Sequence, residues 1–313
     1  MNNLRGLAGK INIAGSVAFD APLAPLTTYR VGGPADLLVS PQSAEDIVSV
    51  LSLAKAEGIP VFILGGGANI LVSDRGIRGI VIRMTSLSTM TITGERLTAQ
   101  AGCEISDVSW QAASAGLGGL GFIFSMPGTV GGAVWMNARC YGSSISDILR
   151  WTEYIDENLD VRRVAPRPGD FDYKRSPFQK GGQVILAAEF ALRRQDTADV
   201  FREMEGNRSD RERKGHFAAP SAGSVFKNNH AFGDPSGKII DRLGLRGFRI
   251  GGAQVSHYHA NMIINSGGAT AEDIEHLIRH VARRVKDELG FELEREVIAV
   301  GDWQPVNESP SPN

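Results

Sequence analysis

Glycine-rich turns between short apolar segments are the feature that most restricts how this chain can fold. Glycine accounts for 37 of the 313 residues, roughly 12% against a typical ~7%. Three clusters stand beside apolar segments typical of strands, at residues 32–33, 65–67 and 128–132. Glycine permits tight turns and lets the backbone come close to a ligand. Each cluster alone fits a tight turn at a sheet edge equally well, but together they favour one extended, phosphate-bearing ligand of the dinucleotide type.

The middle cluster, LGGGANILVSD at residues 64–74, matches neither of two common nucleotide-binding motifs. Ile70 occupies the last glycine position of G-x-G-x-x-G, and no Gly-Lys-Ser/Thr follows as it does in a Walker loop. A Rossmann dinucleotide site is therefore disfavoured. A strand that ends in three glycines can still present successive backbone N–H groups to an anion, and Asn69 and Ser73 could add side-chain hydrogen bonds.

The composition excludes several classes of function. Lys and Arg number 33 and Asp and Glu 35, so the net charge is −2 and gives no electrostatic argument for binding nucleic acid or an acidic membrane. No apolar stretch approaches the ~18 residues of a membrane span, and the N-terminal segment lacks the pattern of a secretory signal. The two cysteines provide no disulfide framework. We therefore expect a cytoplasmic protein that binds neither nucleic acid nor membrane.

Hydrophobic periodicity predicts two mixed regions of helix and strand, and the chain length is typical of two or three domains. Strands are expected at residues 36–40, 61–64, 80–84, 97–101, 183–192, 260–265 and 294–300. Helices are expected at residues 43–58, 105–115, 236–243 and 270–289. The charged segment 195–216 is interpreted as a solvated helix and connector. Residues 1–20 are interpreted as a leader that docks or frays, and residues 303–313 as a disordered tail.

All six histidines follow residue 215. A histidine metal site or a histidyl-linked cofactor in the first half is thereby excluded. His276 and His280 have the i, i+4 spacing of a metal pair, but no cysteine or carboxylate trio is near them, so we interpret them as exposed helix residues. His257 and His259 alternate along an extended segment and could face one ligand. No metal site is predicted.

Residues 221–228 (SAGSVFKN) form a polar segment in the second half. The Ser224 hydroxyl could donate a proton near the cation of Lys227. The G-x-S-x-G pattern is absent, so the sequence does not support hydrolase chemistry. An ordinary turn before a strand explains the segment equally well.

Five motifs closely resemble the UDP-N-acetylenolpyruvoylglucosamine reductase family, and the short stretch between residues 174 and 224 resembles its compact subtype. In chain order they are TYRVGGPAD at 28–36, ILGGGANILVSD at 63–74, SMPGTVGGAVWMN at 125–137, PSAGSVFKN at 220–228 and IGGAQVSHYHAN at 250–261. The resemblance covers roughly residues 20–302. It implies an α+β fold, with an FAD-binding region of the vanillyl-alcohol-oxidase (PCMH) type in two subdomains and a C-terminal α+β substrate domain. The implied boundaries are 21–194, divided into about 21–85 and 86–194, and then 195–302.

The resemblance implies non-covalent FAD, NADPH as hydride donor, and reduction of the enolpyruvyl group of a UDP-sugar to UDP-N-acetylmuramate in peptidoglycan synthesis. The implied cofactor contacts are Arg30, Gly32, Gly65, Gly66, Gly67, Ala68, Asn69, Ser73, Pro127, Gly128, Thr129, Gly132 and Ala133. The implied substrate contacts are Tyr173, Lys227, Asn228 and His259. No other partner is expected, and the chain is expected to be a monomer.

The resemblance also implies a set of catalytic residues. Ser224 would give a proton to the substrate carbanion, and Glu296 matches the family's glutamate, although a surface charge alternating along a strand is the simpler explanation from residues alone. The family's Tyr-Arg-x-Ser has become Tyr173-Lys174-Arg175-Ser176 here. Lysine supplies charge without the bidentate fork of arginine. We favour Lys174 for this role over a local shift that brings in Arg175, which would face the opposite side of an extended segment.

Two other functions are considered. An FAD-dependent oxidase of the same fold would react with O₂, and a non-catalytic flavin-binding protein would fail to oxidise NADPH. The serine and glutamate matches count against the first, and the lysine at position 174 is the only sequence feature that favours the second.

Overall fold

The structure is a computed structural model that describes Leu4, Gly6 and residues 11–304. Residues 1–3, 5 and 7–10 of the expected leader and residues 305–313 of the expected tail lie outside the described residues. Strands and helices are numbered along the chain.

The first sheet has the order β1-β2-β5-β3. Its strands are β1 (Ser16–Pro22), β2 (Pro34–Ser40), β3 (Val61–Leu64) and β5 (Ile77–Arg83). The predicted strand–helix–strand unit is present, with helix α1 (Ala44–Glu57) between β2 and β3, but β5 lies between its two strands and is parallel to both. The sequence did not predict β1, which pairs antiparallel with β2 and so carries residues 16–20 into the sheet.

Helix α1 begins and ends at the predicted residues. The Ser43 side chain accepts a hydrogen bond from the backbone N–H of Asp46, and Gly58 ends the helix with φ 64°. These are the N-cap and left-handed C-cap preferences of helix ends.

The second sheet is antiparallel, with the order β12-β11-β13-β7-β6. Its strands are β6 (Met90–Thr93), β7 (Arg96–Gln100), β11 (Leu149–Ile155), β12 (Val161–Val164) and β13 (Val184–Ala191). Helices α2 (Ile105–Ser114) and α3 (Val130–Trp135) follow β7 in the chain. The sequence predicted β7, β13 and α2, whereas β6, β11 and β12 were missed because half-exposed antiparallel strands carry little continuous apolar signal.

Shorter pairings connect these elements. They are β8 (Leu117–Gly118) with β14 (Arg193–Arg194), β9 (Arg139–Cys140) with β10 (Ser143–Ser144), and β4 (Ile70–Val72) with β19 (Ile298–Val300). Short 3₁₀ turns lie at Ala24–Leu26, Met84–Ser86, Gly121–Ile123, Ile145–Asp147, Pro177–Lys180 and His230–Phe232.

The third sheet has the order β15-β18-β17-β16 and packs against the last helix. Its strands are β15 (Ser221–Ser224), β16 (Arg249–Ile250), β17 (Ala253–Val255) and β18 (Met262–Asn265). The helices of the second half are α4 (Thr197–Arg213), α5 (Ser236–Arg242) and α6 (Ala271–Leu289). The charged segment is thus a helix, as expected. The prediction of a strand over 294–300 was too long, since only Ile298–Val300 is a strand.

The two halves of the chain are joined at β4 and β19, which pair in parallel. Beside them, the Asp74 carboxylate accepts hydrogen bonds from the backbone N–H groups of Ala271 (2.9 Å) and Glu272 (3.0 Å), at the start of α6. These contacts attach the third sheet and its helix to the first sheet. No helix in the described part of the chain has the length and apolar character to cross a membrane.

Candidate active site

The glycine clusters of the first half lie against one another. A Cβ added to Gly66 would stand 2.8 Å from the Gly128 Cα, and one added to Gly65 would stand 2.7 Å from the Thr129 Oγ1. The backbone of one loop therefore touches the backbone of the other, and a side chain on either would force them apart. This arrangement agrees with the expectation that the glycine clusters lie next to one another in the fold.

The first cluster meets the same loop from the other side. The backbone N–H of Thr28 donates to the carbonyl of Gly67 (3.1 Å), and Gly67 has φ +61°. Gly32 instead faces Val72, because a Cβ there would lie 2.6 Å from the Val72 Cβ. Gly32 is therefore needed because the turn at residues 32–33 packs closely against Val72 of strand β4.

The Gly65–Gly67 loop has unused donors. In the part of the chain that the structure describes, neither the Gly65 N–H nor the Gly66 N–H donates to a protein acceptor. Successive free N–H groups next to glycines that no side chain can crowd are the donor set that suits a pyrophosphate. The loop therefore fits a dinucleotide cofactor.

The remaining predicted cofactor residues divide into two groups. Arg30, Ala68, Pro127, Gly132 and Ala133 lie on or next to these loops. Ser73 does not fit the prediction, because its side chain is buried and its hydroxyl donates to the carbonyl of Asp302 at 2.7 Å. Its hydrogen bond fastens the second half of the chain to the first.

Asn69 connects the glycine loop to the second half. Its Nδ2 donates to the backbone carbonyl of Glu296 (3.1 Å), and the Ile298 N–H donates to the Asn69 carbonyl (3.0 Å). A residue predicted to bind cofactor therefore also fixes the backbone of a predicted catalytic residue.

Lys174 and Glu296 form an ion pair, with the Lys174 Nζ 2.6 Å from the Glu296 Oε1. Their side chains are only 15% and 10% exposed. The simpler explanation of Glu296 as a surface charge on a strand is wrong, because the residue precedes β19 and its carboxylate points into the molecule. Because both side chains are largely shielded from water, separating the ammonium from the carboxylate would leave two poorly solvated charges, and this keeps them paired.

Lys174 lies in a tight turn and not in the extended segment that the sequence suggested. Asp172 and Arg175 exchange backbone hydrogen bonds (3.1 and 3.0 Å), which closes a turn around Tyr173 and Lys174. Lys174 has φ +56°, and the Gln179 Nε2 donates to its carbonyl at 3.0 Å. Arg175 is exposed. The turn, and not strand alternation, separates the two cations.

Ser224 lies at the end of β15, next to the segment that carries Glu296. The backbone N–H of Glu296 donates to the carbonyl of Val225 at 2.7 Å. Among the described residues no side-chain hydrogen bond occupies the Ser224 hydroxyl, so it can face a ligand.

Lys227, Asn228 and Tyr173 line one open cavity of about 230 Å³. The Lys227 Nζ contacts the Glu294 Oε1 at 2.6 Å, and the Asn228 N–H donates to the Tyr173 hydroxyl at 3.5 Å. Three of the four residues that the resemblance assigned to substrate are therefore together, beside the Lys174 turn.

His259, the fourth residue that the resemblance assigned to substrate, is not among the residues that line this cavity. Its ring centroid is 6.3 Å from that of His216. Burial and the nearby Arg211 cation lower the pKa of His216 to about 4, and burial together with the cations of Lys214 and Arg246 lowers the pKa of His259. His216 is accordingly neutral at pH 7.

The helix histidines behave differently from one another. His276 is exposed, as expected, but the His280 ring stacks on Phe248 with centroids 4.4 Å apart, which corrects the expectation of exposure. Among residues 11–304, with Leu4 and Gly6, no group of three metal-ligating side chains occurs.

Sequence reasoning missed Asn261, which is 3% exposed. Its carboxamide accepts from the Phe226 N–H (3.0 Å) and donates to the Phe226 carbonyl (2.7 Å). An amide at the end of the IGGAQVSHYHAN motif was visible in the sequence, but nothing there indicated its partner thirty-five residues away.

Gly66→Ala is expected to weaken FAD binding about 10- to 100-fold, because the methyl group would press on the Gly128 backbone and such overpacking costs about 1–3 kcal/mol. Fluorescence titration of the flavin-free protein with FAD measures the change. Gly206→Ala is the control, since Gly206 is exposed on α4 with no atom near its added Cβ. Equal affinities for FAD in the two variants would contradict the assignment of this loop.

Comparisons with known proteins cover both halves of the chain. Residues 35–165 match the family model of an FAD binding domain, and residues 215–300 match that of the UDP-N-acetylenolpyruvoylglucosamine reductase C-terminal domain. The chain is 42% identical to the UDP-N-acetylenolpyruvoylglucosamine reductase of Treponema denticola, over 97% of this chain and 100% of the relative. It is also 42% identical to that of Shouchella clausii, over 94% of each. The crystal structure of the same enzyme from Thermus caldophilus is similar, with a TM-score of 0.77 and 31% identity over 92% of this chain and 99% of that one.

Proposed function

The chain belongs to the UDP-N-acetylenolpyruvoylglucosamine reductase family, and on that premise we propose that Lys174, Ser224 and Glu296 form its catalytic group. Its activity is the reduction of the enolpyruvyl group of UDP-N-acetylglucosamine enolpyruvate to UDP-N-acetylmuramate in peptidoglycan synthesis. It is an oxidoreductase that uses FAD and NADPH. The observation that carries the assignment of residues is the buried Lys174–Glu296 pair, whose Glu296 is bonded through its backbone N–H to Val225, the residue after Ser224.

The fold is α+β, with an FAD-binding region of the vanillyl-alcohol-oxidase type followed by the C-terminal domain of the family. We place the domain boundaries at 21–194 and 195–302, with a division of the first near residue 85. The separate second and third sheets support the divisions near residues 85 and 195, whereas strand β1 (Ser16–Pro22) of the first sheet extends the first domain back to residue 16.

The residues of the glycine loops fit FAD, as their free N–H groups and crowded backbones indicate. We propose that Gly65, Gly66, Gly67 and Thr129 hold the pyrophosphate and that Asn69 contacts the flavin side of the loop. When bound, FAD supplies hydride transfer between NADPH and the substrate. Ser73 is not included, since its hydroxyl already donates to Asp302.

The protein's own groups have two tasks in this reaction. Negative charge spreads into the substrate carboxylate as the double bond is reduced, and a fixed cation there stabilises it. The Lys174 ammonium is held for this task by Glu296 and by the turn that closes around it. The carbanion then needs a proton, which the free Ser224 hydroxyl is placed to donate.

The hydroxyl of Ser224 is a poor acid in water and needs a charged neighbour. The sequence suggested Lys227 or a carboxyl for this help. We assign the help to the Lys174–Glu296 pair, because the Glu296 N–H donates to the carbonyl of Val225, the residue that follows Ser224.

We propose that Tyr173, Lys227 and Asn228, which line the 230 Å³ cavity, bind the anionic UDP-sugar, and that His259 also contacts it. The Lys227 ammonium supplies the positive charge that a diphosphate requires, and the side-chain amide of Asn228 supplies hydrogen-bond donors. We further propose that the enzyme acts as a monomer in the cytoplasm.

A visible absorption spectrum tests both half-reactions. The flavin band of the purified protein is expected to bleach with anaerobic NADPH and to return when enolpyruvyl-UDP-N-acetylglucosamine is added. A band that returns only with air would favour the oxidase. A protein that shows no flavin band after incubation with FAD would contradict the cofactor site and every residue assigned to it.

A further inference from the structure

We propose that Asn261 is the positioning residue for Ser224: on the side of Phe226 that faces β18, its buried carboxamide takes the place of a strand partner and thereby fixes the chain that carries the proton donor. This inference rests on the proposed function, in which Ser224 donates the proton. Asn261 itself contacts neither the catalytic pair nor the glycine loops in the contacts described above.

The strand that ends in Ser224 is irregular. Ser221 pairs with Ile264 and Ser224 with Met262, so β15 has one residue more than β18 between the same two pairs. Gly223 occupies the extra position with φ +74°. A glycine of positive φ at such a site is a β-bulge, which bends a strand and turns the next side chain to a new direction. Ser224 is that next side chain.

After the bulge, the pairing of β15 with β18 stops at Ser224, and on that side Asn261 supplies the partner of the next residues. Its backbone carbonyl accepts from the Val225 N–H at 2.8 Å. Its side chain then accepts from the Phe226 N–H at 3.0 Å and donates to the Phe226 carbonyl at 2.7 Å. A single carboxamide therefore satisfies both backbone groups of Phe226, as a neighbouring residue in a ladder would.

The opposite side of the same segment is held by the chain that leads to Glu296. The Val225 carbonyl accepts from the Glu296 N–H (2.7 Å), and the Lys227 N–H donates to the Glu294 carbonyl (2.8 Å). Residues 225–227 thus lie between Asn261 on one side and residues 294–296 on the other. The position of Ser224 relative to Glu296 depends on both attachments.

The geometry makes Asn261 rigid. It is 3% exposed, and its own backbone N–H donates to the His259 Nδ1 at 3.2 Å. Buried polar groups that all have partners hold one arrangement, since any other leaves a donor or acceptor unpaired. Removing the carboxamide would leave both Phe226 groups unpaired and free the Ser224 end of β15 to shift.

The expected effect is selective for one half of the reaction. A displacement of about 1 Å can cost about 100-fold in rate, so Asn261→Ala should slow the return of the flavin band with enolpyruvyl substrate about 100-fold. The bleaching of the band by anaerobic NADPH does not use Ser224 and should change less than about twofold. A loss of general stability would instead affect both half-reactions.

Gln254→Ala is the matched control. Gln254 is also a buried amide of this sheet, 6% exposed, and its Nε2 donates to the Gly247 carbonyl at 3.1 Å. It lies on β17, on the far side of β18 from β15. This variant should retain both half-reaction rates although it loses a comparable hydrogen bond.

Asn261→Asp keeps the volume and the acceptor but lacks the donor to Phe226, so it tests the same contact without a cavity if the alanine variant does not fold. It is expected to show the same selective loss of reoxidation. The inference is overturned if either variant reoxidises with substrate as fast as the unmodified enzyme, or if both half-reactions slow equally. Failure of the unmodified enzyme to reoxidise with substrate would instead contradict the proposed function.

Discussion

Ser224→Ala is expected to reduce the rate of reoxidation by enolpyruvyl substrate about 100- to 10,000-fold, the range typical of a lost proton donor. The hydroxyl lies at the end of β15 without a side-chain hydrogen bond to the described residues, and the backbone next to it is bonded to Glu296. Bleaching by NADPH should be unaffected because no proton goes to the substrate in that step. Stopped-flow absorbance of the flavin band measures each half separately.

Ser221→Ala is the control for this substitution. Ser221 begins the same strand and pairs with Ile264, on the other side of the Gly223 bulge from Ser224. It should retain both rates. If Ser224→Ala reoxidises at the rate of Ser221→Ala, Ser224 does not donate the proton and a different acid must be sought.

Much of the architecture could be predicted from the sequence because its signals are local. The helix at 44–57 carries its own cap residues, and the helix at 271–289 has a capping box between Thr270 and Asp273 and ends at Gly290. The resemblance supplied the order of the domains. Neither kind of signal indicates β1, because the residues with which it pairs lie twelve to twenty-four positions later in the chain.

The site was harder to predict, since its key contacts join distant parts of the chain. Glu296 reaches Lys174 across 122 positions, the difference of the two residue numbers, and no periodicity of one segment contains that pairing. The sequence suggested an extended segment around Lys174. The turn at residues 172–175 is instead formed by hydrogen bonds of Asp172 and Gln179, which no local pattern of the sequence indicates. The hydrogen bond from the Ser73 hydroxyl to Asp302 was also not predictable, because a serine after a glycine loop looks the same in sequence whether it binds a ligand or another segment of the chain.

Lys174→Ala is expected to lower turnover about 100- to 1,000-fold, the loss typical of removing one group that stabilises developing charge. The ammonium is 15% exposed and has the Glu296 carboxylate at 2.6 Å. Its removal should also lower the free energy of unfolding by about 3 kcal/mol, because a poorly solvated carboxylate is left without its partner. Alanine and lysine have the same backbone preferences, so the φ of +56° at this position adds no difference between them.

Arg175→Ala is the matched control, since Arg175 is the neighbouring cation but is exposed on the other side of the turn. Its turnover should stay within about twofold of the unmodified enzyme, as for most surface substitutions. Steady-state kcat and KM for both substrates, with thermal unfolding of each variant, separate the two effects. The opposite ranking, with Arg175→Ala the slower variant, would mean that the arginine of the family motif is replaced by Arg175.

The double variant Lys174→Ala/Glu296→Gln distinguishes the catalytic from the structural consequence of the pair. Neutralising Glu296 removes the unpaired charge, so the double variant should recover most of the stability that Lys174→Ala loses. Turnover should not recover, because the double variant lacks both the cation that stabilises the substrate carboxylate and the Glu296 carboxylate of the catalytic group. If turnover returned together with stability, Lys174 would be needed only to neutralise Glu296, and the stabilising cation would have to be another residue of the site.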